Sequence, residues 1–191
     1  KDWMASIYDN QIKNRNFLSP TGFKFVLNRA RKVSFLGNEA NIPGLTLATA
    51  EQPTYLGRDI PYPGNEVTFE DFNLRFLVDE NLENYNEISH WIRALGYVES
   101  LEEIQDFQNA NADLEQPDKT QLNLYSDGTL QILTSSENPN FKIMFKNMFP
   151  TSLSTLNFDA TAEDINYFTA DVTFKYTIFN ITDLSGNPLW A

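Results

Sequence analysis

EVTFEDFNLRFLV, residues 66–78, changes the parity of its apolar side chains halfway along. Val67 and Phe69 share one face of an extended chain, whereas Phe72, Leu74, Phe76 and Val78 share the other. Side chains of a strand alternate between two faces, so one extra residue reverses everything after it. The spacing predicts a long strand, Glu66 to Val78, interrupted by a β-bulge or sharp bend at Glu70-Asp71. Such a bend lets one strand serve two sheets.

Downstream the period changes. In DENLENYNEISHWIRALG, residues 79–96, the apolar positions Leu82, Tyr85, Ile88, Trp91, Ile92 and Leu95 recur at spacings of three and four, which predicts an amphipathic helix. Asn81 can cap it and Gly96 can end it. Ser100 and Glu103 have capping-box spacing, and Leu101, Ile104 and Phe107 make a stripe, so a second, shorter helix is expected. The helical segment then spans 81–111 and decays into a polar loop up to Lys119.

Upstream, AEQPTYLGRDIPYPGN, residues 50–65, holds three prolines and two glycines, which predicts a loop without regular ladder pairing. It also holds Tyr55, Leu56, Ile60 and Tyr62, which a solvent loop does not need. Either a neighbouring molecule covers them or the loop folds down over its own domain. Before it, Phe23, Phe25 and Leu27 alternate with polar residues in a half-buried strand, Gly22 to Asn28, and Lys32 to Leu36 is expected to pair with it. Ala40 to Gly44 must turn, because it contains Pro43-Gly44, and Leu45 to Leu47 resumes an extended run.

In the last third, Asp127-Gly128 between two extended runs predicts a hairpin over Thr120 to Ser135 with a two-residue turn. Phe141, Ile143 and Phe145 mark a further strand, ended by Phe149-Pro150, and Leu153 to Phe158 a shorter one. Phe168, Ala170, Val172, Phe174, Tyr176 and Ile178 alternate with polar residues along a single long strand. The fold class expected is mainly β, a sandwich or partial barrel of roughly seven to nine antiparallel strands with one or two flanking α-helices. The expected division is an N-terminal arm over 1–20, a β domain over 21–182 and a C-terminal tail over 183–191.

The chain has 191 residues, enough for one substantial core, and its 14% aromatic content favours strands and rules out disorder. It contains no Cys, so disulfides, thiolate metal sites and a thiol nucleophile are excluded. The opening stretch KDWMASIYDNQIKNRNF lacks an uninterrupted apolar run, and no segment matches the length of a bilayer span. A soluble, non-membrane protein is expected. A formal net charge of −12 argues against stable attachment to nucleic acid.

Chemistry is sparse. The single His90 lies within the helical pattern, so histidine-rich metal sites and most Ser-His-Asp relays are impossible. The acidic pairs Glu70-Asp71, Asp79-Glu80 and Glu102-Glu103 are expected by chance among 26 acids. There is no phosphate-binding glycine loop and no calcium-loop spacing, so no cofactor is indicated and an enzyme is not expected.

Taken in order, NFLSPTGFKFVL (16–27), ANIPGLTL (40–47) and RDIPYPGNEVTFEDFNLRFLVDEN (58–81) resemble the tail-tube proteins of contractile-tailed bacteriophages. MFPTSLSTLNFDATAEDINYFTADVTFKYTIFNI (148–181) resembles that family's Pro-containing segment and long closing strand, so coverage runs from about Phe17 to Ile181. The resemblance implies hexameric rings whose strands join into one inner barrel, stacked through the long loop and the terminal arm. It implies subunit contacts at Trp3, Phe17, Pro53, Tyr55, Leu56, Ile60, Pro61 and Tyr62, and acids facing the lumen, with Glu66, Glu70 and Asp171 as candidates. It further implies sheath, baseplate and tape-measure proteins as partners, DNA passing without sequence-specific binding, and a place in the virion tail after assembly in the host cytoplasm. The longer arm and the stretch from Ser100 to Lys119 depart from the family pattern and point to a baseplate-proximal initiator or a neck ring as alternatives. A monomeric carbohydrate-binding β-sandwich is the competing class.

Overall fold

In a computed structural model, residues 16–55, 57–96, 102, 124–159 and 167–189 are described. In chain order the elements are β1 (Phe23–Leu27), α1 (Arg31–Phe35), β2 (Gly37–Ala40), β3 (Leu45–Gln52), β4 (Ile60–Phe69), β5 (Phe72–Leu77), α2 (Glu83–Gly96), β6 (Ser126–Leu133), β7 (Pro139–Leu153), β8 (Thr169–Lys175) and β9 (Ile178–Thr182). All pairings are antiparallel. Seven strands form one sheet, in the order β1-β6-β7-β8-β5-β2 with β9 also on β7, while β3 and β4 form a separate two-stranded ribbon.

The bend at Glu70-Asp71 is where the chain leaves the ribbon and enters the sheet, as the parity change predicted. Phe72, Leu74 and Phe76 then point into the core. The sheet curls strongly: Phe72, near one end of the strand order, packs its ring 5.0 Å from Phe25 at the other end and 4.8 Å from Phe145 in the middle. The two outermost strands, β1 and β2, are consecutive in sequence and α1 links them. α2 buries Ile88, Trp91 and Ala94, and the Trp91 indole N–H donates to the Leu124 carbonyl (2.9 Å).

Several expectations are corrected. Lys32 to Leu36 is not a strand: residues 31–35 form α1, because Ala30 and Val33 sit three apart on one buried helical face. The partner of β1 is β6. Asp127-Gly128 is not a turn but lies inside β6, at a register shift, and the turn to β7 comes at residues 134–138. A Cβ on Gly128 would collide with the Met148 Sδ and stand 3.3 Å from the Phe25 ring, so close packing, not a positive φ, selects glycine there. Phe149-Pro150 does not end β7, which runs to Leu153, and residues 154–159 are not a strand. The long closing strand is split: β8 and β9 lie in line along β7 but break at Tyr176-Thr177.

The helix start is corrected too. Leu82 has φ 57°, is exposed and precedes α2, so it is not part of the buried stripe. Asn84, not Asn81, ties the start down: its amide donates to Leu77 O (2.8 Å) and its Oδ1 accepts the Asp79 amide (3.2 Å). The helix expected at Ser100 lies outside the described residues apart from Glu102.

Candidate subunit interface

Residues 50–52 and 60–65 of the Pro-rich segment are strand, in the outer half of the ribbon, which corrects the expectation that its prolines forbid pairing; only its middle is a loop. Thr49, Ala50, Glu51 and Gln52 stand opposite Pro63, Tyr62, Pro61 and Ile60. The Glu70 amide donates to Gly44 O (3.1 Å), which fixes the phase of the ladder at the root. In an antiparallel pair, opposite residues alternately exchange two hydrogen bonds or none. Positions 45/69 and 47/67 fall in the second class, with amides turned outward. Pro61 and Pro63 have no amide to give, so they too occupy outward positions, and the outer ladder runs through Tyr62 and Ile60. The tip is closed by the Thr54 hydroxyl donating to Arg58 O and the Gly57 amide donating to Thr54 O (3.1 Å).

Between Leu47/Val67 and Thr49/Pro63 the register shifts, with two more residues on β4 than on β3. An even excess preserves parity along each strand. Near the root, Leu45, Leu47 and Val67 therefore share one face of the ribbon; toward the tip, Tyr62 and Ile60 stand on the other. Gly64 lies at this shift, where a Cβ would come within 2.6 Å of the Ala48 carbonyl oxygen. All of these large apolar side chains are exposed, Leu45 at 59% and Tyr62 at 48%, and Tyr55 at the tip is fully exposed. The ribbon does not fold back over its own body.

The root is anchored. Phe69 meets the rings of Tyr176 and Phe179 edge-on at 6.1 and 5.8 Å, and the Tyr176 hydroxyl donates to Glu70 O (2.8 Å). Burial pushes the Tyr176 hydroxyl up to about 12, with Asp71 and Glu70 adding to the shift, so it stays a donor at neutral pH.

Of the expected contact residues, Pro53, Tyr55, Ile60, Pro61 and Tyr62 come together as exposed residues of this one ribbon. Phe17 is exposed away from any element, and Trp3 and Leu56 lie outside the described residues. Leu45, Leu47 and Val67 belong to the same ribbon, on the face opposite Ile60 and Tyr62, and the sequence does not mark them as surface, because an alternating strand gives no sign that both its faces are solvated. The acids are not brought together. Glu66 is exposed on β4 and Glu70 at the bend, whereas Asp171 sits on the outer face of the sheet and accepts from Arg75 Nε (2.7 Å). Arg75 also reaches Glu39 (2.6 Å), and these charges together hold the guanidinium in its charged form.

One charged group lies under α2 and another belongs to it. Arg29, inside the fold and 5.7 Å over the Trp91 ring, has its pKa lowered to about 10 by burial. Burial pushes the Glu87 carboxyl up, partly offset by the Lys32 amide and ammonium, and its Oε2 has no hydrogen-bond partner. Among the described residues no group of three or more His, Asp or Glu is placed to hold a metal ion, and no helix is long and apolar enough to cross a membrane.

The likeness to solved structures lies in the fold. A chain from the extended-state sheath–tube complex of an extracellular contractile injection system, PVC, aligns with a TM-score of 0.57 at 16% identity, covering 89% of this chain and 94% of that one. A chain from the tube-terminating cap of the anti-feeding prophage aligns with a TM-score of 0.54 at 16% identity, covering 93% and 99%. One from the baseplate of the same particle gives 0.54 at 11% identity, covering 85% and 91%. No curated protein sequence matches the chain. Residues 4–182, nearly the whole length, match the family described as phage tail tube protein, and the chain belongs to that family.

Proposed function

We propose that copies of this chain close into a hexameric ring, that rings stack into part of a phage tail tube, and that the ribbon is covered by a neighbouring copy. The observation that carries this reading is the ribbon itself: it projects from a closed core with Leu45, Leu47, Tyr55, Ile60, Tyr62 and Val67 all exposed. A lone soluble domain rarely exposes so concentrated an apolar surface. The aromatics support a tube over a carbohydrate platform, since Phe25, Phe72, Phe76, Trp91, Phe145 and Phe174 are buried.

In this reading DNA crosses the ring without sequence-specific contact, and inward acids keep phosphates from adhering. Glu66 and Glu70 are the better lumen candidates, because the charge of Asp171 is already compensated by Arg75. Sheath, baseplate and tape-measure proteins are the expected neighbours. The extra sequence at 100–119 favours a second reading, the ring that starts or ends the tube; copy number per particle separates the two.

The test is negative-stain imaging and light scattering of the purified protein. Rings or short tubes are expected for the wild type, and single chains for the Ile60→Ser/Tyr62→Ser variant. A wild type that stays a single chain at high concentration overturns the proposal.

A further inference from the structure

Sheet and ribbon are two stretches of one hairpin. In the sheet Ala40 stands opposite Leu74, and in the ribbon Leu45 stands opposite Phe69, equally far along both strands, so a single register runs through both. Between these pairs the ladder is interrupted: β2 ends at Ala40 and β3 starts at Leu45, while β4 ends at Phe69 and β5 starts at Phe72. In that register Pro43 falls opposite Asp71, and proline has no amide to donate. A hairpin interrupted at one level on both strands can swing there, because a few residues outside regular pairing absorb the change in φ and ψ.

The Asn41 side chain fills the interruption. Its main-chain amide donates to Asn73 O (3.3 Å), as in a ladder, but the Asn73 amide donates to the side-chain Oδ1 of Asn41 (2.6 Å). Asn41 Nδ2 then donates to Asp71 O (3.1 Å), the carbonyl that Pro43 cannot serve. One side chain thus supplies an acceptor and a donor across the gap. A carboxylate has no donor to offer Asp71 O, and an alanine offers neither group. Phe69 and Tyr176 hold one leg of the ribbon to the body; Asn41 ties the other leg to it. Asn41 itself is no part of the hydrophobic core. We propose that Asn41 is the positioning residue of the ribbon: its side-chain amide locks the interruption and fixes the direction in which the ribbon leaves the body. On the self-assembly reading above, which this inference deepens, an unpinned ribbon meets a neighbouring copy in many poses and assembly weakens.

The chain has no cysteine, so a pair of introduced cysteines takes nitroxide labels without competition. Labels at Gln52→Cys on the ribbon and Lys24→Cys on the body, both exposed positions, report the ribbon's direction by pulsed electron paramagnetic resonance on dilute single chains. With Asn41 intact one narrow distance is expected, and Asn41→Ala and Asn41→Asp should each broaden or split it. Thr173→Ala removes a hydroxyl that donates to Asn73 Oδ1 (2.9 Å) from within the sheet and leaves the pin in place, so the distance should stay narrow. Without labels, Asn41→Ala is expected to raise the concentration needed for half-assembly up to about tenfold. The inference is overturned if the distance is as narrow in both Asn41 variants as in the wild type, if Thr173→Ala broadens it equally, or if the ribbon loosens and assembly is unaffected. Variants that fail to fold by circular dichroism overturn it too, because Asn41 would then hold up the body and not the ribbon. A wild type that never assembles overturns the parent reading, and the distances alone then decide whether Asn41 is the pin.

Discussion

Gly128→Ala tests why a glycine interrupts β6. The added methyl group enters a space walled by Met148 and Phe25, both with about 1% of their surface or less exposed, so neither can swing into solvent. Overpacking a dense core costs about 1 to 3 kcal/mol, and replacing glycine in a strand returns about 0.5 to 1 kcal/mol of backbone entropy. A net loss of about 1 to 2 kcal/mol follows, or a fall in Tm of about 2 to 8 °C for a chain of this size. Thermal and urea melts at concentrations too low for assembly measure it without linkage to oligomers. The decisive comparison repeats the substitution in a Met148→Ala background, where the colliding sulfur is gone and the new methyl group fills part of the cavity. There the cost is expected to vanish or change sign, a coupling of about 1 to 3 kcal/mol. An equal penalty in both backgrounds would refute the argument, because strain in the backbone itself does not depend on Met148.

Other outcomes follow from the same structure. Trp91→Ala, removing the largest fully buried side chain among the described residues, should cost about 3 to 5 kcal/mol in a urea melt. Tyr176→Phe removes the donor to Glu70 O and should cost about 1 kcal/mol, with faster amide exchange at Glu70 than elsewhere. Glu87→Gln tests the buried carboxyl through pH. Its native pKa is raised, so the folded state holds the proton more tightly than the unfolded one, and stability is lost as pH rises through the native value. The variant should gain on the wild type as pH rises above the ordinary carboxylate value, about 4.3, and a gap that does not change with pH there would contradict the assignment.

Legibility in the sequence depended on whether a residue's neighbours are local. The parity change in residues 66–78 exposed the bend, because a strand's alternation is written within the strand itself. The period of α2 was legible for the same reason: Ile88 and Trp91 are buried, and Tyr85, Ile92 and Leu95 pack against the core. Asp127-Gly128 misled because the same dipeptide serves a tight turn or a crowded strand, and the crowding comes from Phe25 and Met148 on other strands. The prolines misled in the opposite direction: two of them stand at outward positions of a two-stranded ribbon, where a missing amide removes no ladder bond. The surface role of Leu45, Leu47 and Val67 was hidden because alternation reports that two faces differ without saying what lies against either.

One physical feature unites the remaining departures. Opposite the bend at Glu70-Asp71 the register brings Lys175-Tyr176, with Lys175 3.3 Å from Asp71, and β8 gives way to β9 there. Beside Tyr176-Thr177 on β7 stands Asn147, with φ 54°, whose amide group reaches the Thr177 hydroxyl (3.4 Å). The Asn147 main-chain amide in turn donates to Asp127 Oδ1 (3.1 Å), at the register shift of β6. The irregular sites of neighbouring strands thus line up as a single crease across the sheet. A sheet can turn a corner only where each strand gives up regular pairing at the same level, which is why the interruptions align instead of scattering. The rings of Phe145, Tyr176 and Phe179 cluster at this crease, and Phe69 from the ribbon joins them. Corner and ribbon root share one aromatic cluster, so the angle at which the ribbon leaves the body is set by the same packing that bends the sheet. On the proposed assembly, a ribbon held this way would meet a neighbouring copy already ordered, and association would not bear the entropy of organising a free loop.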